Sequence, residues 1–193
     1  TESYNGSNWT EVNDLNEARA NLTGAGTQTA ALGFGGFPEP TFTELWNGTN
    51  WTEVNNLTTG RNVLAGAGTS TAALAFGGNV SPNAQTETWN GTNWTEVNDL
   101  NTGRNQLAGA GTQTSALAFG GDVGGTSALT ELWNGTNWTE VNDLNSARKQ
   151  LAGAGATNTA ALAFGGDSSQ ALTESWNGTN WTETADLGTA RYS

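Results

Sequence analysis

Cysteine and histidine are both absent from this sequence of 193 residues. Without cysteine there is no disulfide framework, no thiolate nucleophile and no zinc–thiolate site. Without histidine the chain lacks the commonest general base and the commonest transition-metal ligand. Positive charge is scarce too: six Lys and Arg stand against eighteen Asp and Glu, for a net charge of −12. Recognition of a phosphate backbone or an anionic lipid surface relies on clustered cations, so nucleic acid and membrane surfaces are excluded as partners. Nor is there a run of about 18 apolar residues to cross a bilayer as a helix. The opening residues, TESYNGSNW, have neither the basic nor the apolar region of a signal peptide. The expectation is therefore a processed chain or a segment of something longer.

What is present is Gly, Thr, Asn and Ala in abundance, together with nine Trp. Disordered polar chains avoid aromatics, so Trp at regular spacing calls for a folded object. The spacing comes from a repeat. WNGTNWTEV is spelled identically at Trp46–Val54, Trp89–Val97 and Trp133–Val141, with variants YNGSNWTEV at Tyr4–Val12 and WNGTNWTET at Trp176–Thr184. Copies aligned on the Thr-Glu pair cover 1–42, 43–85, 86–129 and 130–172, followed by a half copy, 173–193. A period of about 43 residues suits either a solenoid or a propeller.

The content of one copy separates the two. In Thr86–Leu129, two short alternating runs flank Asn90-Gly91, and Asn-Gly between such runs is the strongest short hairpin signal, because both residues tolerate φ > 0. A loop of two or four residues would put Trp89 and Trp94 on one face of the sheet. After a polar connector, NDLNTGR, comes QLAGAGTQTSALAFGG. Gly109, Gly111, Gly120 and Gly121 would each cost about 1 kcal/mol in a helix interior, so this run reads as two strands around a polar turn. Four strands per copy (LAGAG, SALAF, TELW and NWTEV) describe a blade of a β-propeller. The fold class is all-β.

Each copy orders its landmarks as Arg, a small-residue strand, an apolar strand closed by Gly-Gly, a variable loop, an aromatic, and a second Trp: Arg61, Gly77-Gly78, Trp89 and Trp94, for example. That order resembles the kelch repeat, although the period is shorter than the ~50 residues usual there. The near-identical Asn- and Thr-rich copies are also similar to repeat arrays in phage and marine bacterial proteins. The kelch resemblance implies that LAGAG is the innermost strand (Leu22–Gly26 as LTGAG, then Leu64–Gly68, Leu107–Gly111 and Leu151–Gly155). Gly and Ala suit a crowded axis, which favours a small ring. Four inner hairpins and five outer ones are spelled out. The expectation is five blades, one of them incomplete in a truncated array, with four blades as the alternative.

The repeated residues read first as structure. Trp46, Trp51, Trp89, Trp94, Trp133 and Trp138 are expected to pack blade against blade rather than stack on sugars. Arg61, Arg104 and Arg148, with Arg19 and Arg191, are expected to fork onto a nearby Glu or onto loop carbonyls rather than ring an anionic ligand. Glu44, Glu53, Glu87, Glu96, Glu131 and Glu140 flank the Trp residues, and paired carboxylates can do glycosidase work. A site repeated by symmetry, however, lacks the asymmetry that acid and base roles need. Asp14, Asp99, Asp122, Asp143 and Asp167 have no calcium-loop spacing and fit turn chemistry. The sequons, such as Asn47-Gly48-Thr49, would be glycan acceptors on a eukaryotic secretory route. No cofactor and no metal is implied.

One region varies between copies: FPEPTF (37–42), NVSPNAQ (79–85), DVGGTSAL (122–129) and DSSQAL (167–172). Recognition is usually placed on loops carried by a fixed scaffold, so Phe37, Pro38, Asn79, Asp122 and Asp167 are the candidate ligand contacts. The function expected is a non-catalytic structural or adhesive module, extracellular or on a virion or cell surface. It would associate with itself or with neighbouring copies; the alternative is a lectin binding surface glycans at one shallow site per blade. Kelch-like copper oxidases need the His and Cys that are missing here.

Overall fold

The computed structural model describes residues 1–38, 40–167 and 170–191. These contain eighteen β-strands and no helix. The outer hairpin forms where Asn-Gly turns the chain. Trp89 pairs directly with Trp94, leaving Asn90–Asn93 as a four-residue loop. Asn90 Oδ1 accepts the backbone N–H of Thr92 and Asn93 at 3.0 and 2.9 Å, and Gly91 sits at φ +91°, where a side chain would be strained. The two indoles end on the same face, 5.4 Å apart.

The first hairpin, β1 (Glu2–Tyr4) and β2 (Trp9–Glu11), is a sheet by itself. Four four-stranded antiparallel sheets follow. The first blade is β3 (Thr23–Thr27), β4 (Ala30–Phe34), β5 (Thr43–Trp46) and β6 (Trp51–Glu53). The second is β7 (Ala65–Thr69), β8 (Ala72–Phe76), β9 (Thr86–Trp89) and β10 (Trp94–Val97). The third is β11 (Ala108–Thr112), β12 (Ser115–Phe119), β13 (Thr130–Trp133) and β14 (Trp138–Val141). The fourth is β15 (Ala152–Thr157), β16 (Ala160–Phe164), β17 (Thr173–Trp176) and β18 (Trp181–Glu183). The chain is a β-propeller. Each blade joins the inner hairpin of one sequence copy to the outer hairpin of the next, so the structural unit runs half a copy out of phase with the repeat.

The expectation of five blades is refined: four are complete, and the fifth sector holds only the outer hairpin β1–β2. Its place is set by the bonds that join the outer hairpin of each of the first three blades to the blade after it. Asn13 Nδ2 reaches Thr49 O and Asn50 Oδ1, as Asn55 reaches Thr92 and Asn93 and Asn98 reaches Thr136 and Asn137. Gln28 Nε2 donates to Tyr4 O, as Gln113 Nε2 donates to Trp89 O. The first hairpin therefore stands beside the first blade as the outer half of a blade preceding it.

The inner strands pack side by side in the order β3, β7, β11, β15, each beginning one residue later than LAGAG suggests. A Phe from each blade lies over the small residue at the second strand position of the next. A Cβ built on Gly109 would come within 2.5 Å of Phe76 Cζ, which is why this position has no side chain. Three apolar layers fill the junctions. In the one between the second and third blades, Leu74 and Phe76 meet Ala116, Ala118, Trp133 and Trp138. The connector that reads as polar contributes to these layers too, with Leu57, Leu100 and Leu144 only 3–4% exposed.

Candidate interaction face

Antiparallel order sends the connectors that precede each inner hairpin, and the loops that follow each Gly pair, to the same end of the blades. The Arg of each connector organises this end. Arg61 Nη1 donates to Gly77 O and Gln85 O at 2.9 and 2.6 Å, while Nη2 donates to Glu87 Oε1 at 2.9 Å. Glu87 Oε2 accepts from the backbone N–H and the hydroxyl of Thr58, both at 2.8 Å. The other pairs are Arg19–Glu44, Arg104–Glu131 and Arg148–Glu174, each with side chains at most 2% exposed. Glu and loop carbonyls are thus both partners of each guanidinium; the carboxylate is not gripped by a two-pronged fork. Burial pushes the Arg61 and Arg104 guanidinium pKa values down, against the opposing pull of Glu87 and Glu131. Arg191, fifth in the series, is exposed.

The remaining charged candidates have structural partners or face water. Glu53, Glu96 and Glu140 stand opposite the buried Glu of their blades and are exposed. Asp99 and Asp143 accept the backbone N–H of Thr86 and Thr130 at 3.0 and 2.9 Å, anchoring the start of the third strand. Asp14 receives the amino group of Thr1 in the matching position. Among the described residues no group of three or more Asp or Glu is placed to hold a metal ion.

Four of the loop candidates, Phe37, Asn79, Asp122 and Asp167, occupy equivalent positions, one per blade, and Pro38 follows Phe37. Phe37 N–H donates to Ala20 O, Asn79 to Asn62 O, Asp122 to Asn105 O and Asp167 to Lys149 O. They are spread around the face and do not converge on one pocket. Only Asp122 and Asp167 are linked, through Lys149: its Nζ lies 2.6 Å from Asp122 Oδ2, and its backbone N–H donates to Asp167 Oδ1 at 3.3 Å. This contact, with the N–H of Gly124, holds the Asp122 carboxyl below its ordinary value, and Asp122 raises Lys149 in return. Phe37 and Val123 are 62% and 47% exposed, and Pro38 and Asn79 are exposed beside them. Glu39, Ser168 and Ser169, which complete two of the loops, lie outside the described residues.

At the axis this face carries a staircase invisible in the sequence. Asn21, Val63, Gln106 and Gln150 all have φ between 49° and 56°, and each passes its carbonyl to the next: Asn21 O to Val63 N, Val63 O to Gln106 N, Gln106 O to Gln150 N, at 2.8–3.0 Å. With Leu22, Leu64 and Leu107 they line a shallow depression.

The Trp candidates pack within and between the blades. Trp89 and Trp133 are 1% exposed, and Trp94 and Trp138 are 5% and 4% exposed. In the second, third and fourth blades the later indole N–H crosses to the preceding blade: Trp94 to Thr43 Oγ1, Trp138 to Thr86 Oγ1 and Trp181 to Thr130 Oγ1, at 3.0–3.1 Å. Trp46 and Trp51 stack likewise, 5.4 Å apart. Comparison with protein-family models matches none of them, and comparison with curated proteins gives no significant match.

Proposed function

We propose that the chain is a non-catalytic, kelch-like propeller module with a structural or adhesive role outside the cytosol, as a repeating part of an extracellular fibre or virion appendage. The observation that carries this reading is the division of labour between residues. In the complete blades the repeated Trp pairs, the connector Arg and the Glu that pairs with it pack into blade junctions and blade interiors, whereas the side chains that differ between blades stand at equivalent positions on one face. Such a frame offers similar contact points at regular intervals, and linked weak contacts gain avidity without any new chemistry.

The test is adhesion. Beads coated with the chain should be retained on at least one of a panel of cell and extracellular-matrix surfaces. Replacing Phe37 with Ser should weaken retention without lowering the melting temperature. No retention on any surface, together with no self-association, would remove the reading. The lectin alternative draws on the loops, because the paired indoles of the second, third and fourth blades are buried; a blank glycan array together with no sugar-induced thermal shift would dismiss it.

A further inference from the structure

Each junction between complete blades has the same parts. Leu and Phe of one blade face two small residues and the Trp pair of the next, and the Phe ring lies 4.9–5.0 Å from the later indole in Phe34–Trp94, Phe76–Trp138 and Phe119–Trp181. That indole then donates to the Thr opening the third strand of the earlier blade.

Two further junctions are half built, and they face each other across one slot. On the fourth blade, Leu162 is 41% exposed, whereas its equivalents Leu32, Leu74 and Leu117 are at 0–1%. Phe164, with Ala152, Leu187 and Arg191, lines an open apolar recess. Thr173 Oγ1 is buried without a hydrogen-bond partner, although Thr43, Thr86 and Thr130 each accept an indole N–H there. On the opposite wall, Trp51 Nε1 is also buried and unpartnered. Ala31, Trp46 and Trp51 form a second recess with Tyr4 and Trp9, and those last two are 45% and 65% exposed. Between the walls runs β1. Its counterpart β13 pairs with β12 on one side and β14 on the other, but among the described residues β1 pairs with β2 alone. Buried polar atoms without partners are rare, and an exposed apolar patch beside a free strand edge is where strand addition occurs.

We propose that this slot is the acceptor for one further inner hairpin of the repeat's own type, entering directly behind Arg191. The walls specify it. It must pair with β1 in the register that sets Ala116 against Trp133 and Phe119 against Thr130, which aligns an incoming Ala-Leu-Ala-Phe with Tyr4, Ser3, Glu2 and Thr1. It must present small residues to Leu162 and Phe164, and a Leu and a Phe to Trp46 and Trp51. Its Gly pair must offer a carbonyl to Arg191, whose guanidinium then reaches Glu2 as Arg104 reaches Glu131. Trp9 gains Thr173, and Trp51 gains Thr1.

The chain already heads there. Gly166 N–H donates to Arg191 O as Gly121 N–H donates to Arg148 O, and Leu187 N–H donates to Ala171 O as Leu144 N–H donates to Ala128 O. A second copy of the chain is a poor donor. Every copy holds four inner hairpins and five outer ones, so a hairpin given away opens the slot it left.

The experiment extends the chain directly behind Ser193 with a copy of Leu107–Gly121. A control extension carries Gly109→Val, whose side chain would collide with the Phe164 ring as it would with Phe76. The extension should raise the melting temperature by roughly 5–15 °C. It should also move the indole N–H resonances of Trp9 and Trp51, assigned with Trp9→Phe and Trp51→Phe, and protect Trp9 from exchange; the control should do neither. A synthetic Leu107–Gly121 peptide added in excess should shift the same two resonances, which keeps the test informative should the extended chain aggregate. Thr173→Val should be neutral in the original chain and destabilising in the extended one. Unchanged melting and unchanged resonances, or an equal effect from the control, would overturn the proposal. So would an unextended chain that is already dimeric with Trp9 protected, because the second copy would then be the occupant.

Discussion

Arg104 and Glu131 meet at 2.6 Å with side chains 0% and 2% exposed, inside a single blade. A buried ion pair need not be more stabilising than an apolar pair of the same shape, yet losing one partner strands the other charge. Replacing Glu131 with Gln should therefore cost about 3–5 kcal/mol, because Arg104 remains buried without its counter-ion. The double replacement Arg104→Met with Glu131→Leu should cost clearly less. Urea unfolding midpoints of the two variants check the order, and a single variant as stable as the parent would contradict a structural role for the pair.

Lys149 and Asp122 predict a pH dependence whose sign is fixed. Asp122 is held below its ordinary value of 3.8 in the folded chain, so its contribution is present above that value and is lost as the pH falls through the depressed one. Lys149 is raised above 10.5, so its share is present below that value and is lost as the pH climbs past the raised one. In Lys149→Met, the Asp122 carboxyl should titrate closer to its ordinary value, because the largest cause of its depression is gone. Carbon-detected NMR titration of Asp122 measures this, and an unchanged midpoint would show that the ammonium does not reach the carboxylate in solution.

Much of the architecture is legible in the sequence because local chemistry specifies it. Asn90-Gly91 marks the turn, the alternation around it puts Trp89 beside Trp94, and the Gly and Ala of LAGAG mark the crowded inner strand. The partners of Arg61 and Arg104 are legible in kind, since a Glu stands 25–27 residues after the Arg of each of the first four copies. Pairings across blades are not. Thr86 reads as an ordinary strand residue until Trp138, 52 positions later, is found bonded to it. Leu100 looks like part of a polar connector because its neighbours are polar, but the path of the chain turns it into the core. Asp122 and Asp167 are the acids among the candidate loop residues, and only the fold shows that Lys149 already holds Asp122. The counts of inner and outer hairpins are legible, whereas the side of the ring left open is visible only in Leu162, Thr173 and Trp51.

If the repeated residues act by joining one blade to the next, the bond from the Trp138 indole to the Thr86 hydroxyl carries that role between the second and third blades. A double-mutant cycle of Trp138→Phe and Thr86→Val, followed by urea unfolding, isolates the bond between them. Each single change leaves a buried polar atom without its partner, at a cost of about 1–3 kcal/mol. The cycle should return a favourable coupling on the order of 1 kcal/mol, within the range for residues in contact. A coupling indistinguishable from zero would mean that the recurring Trp does not bind its neighbouring blade through this bond, and the account of the repeat as a joining element would fail.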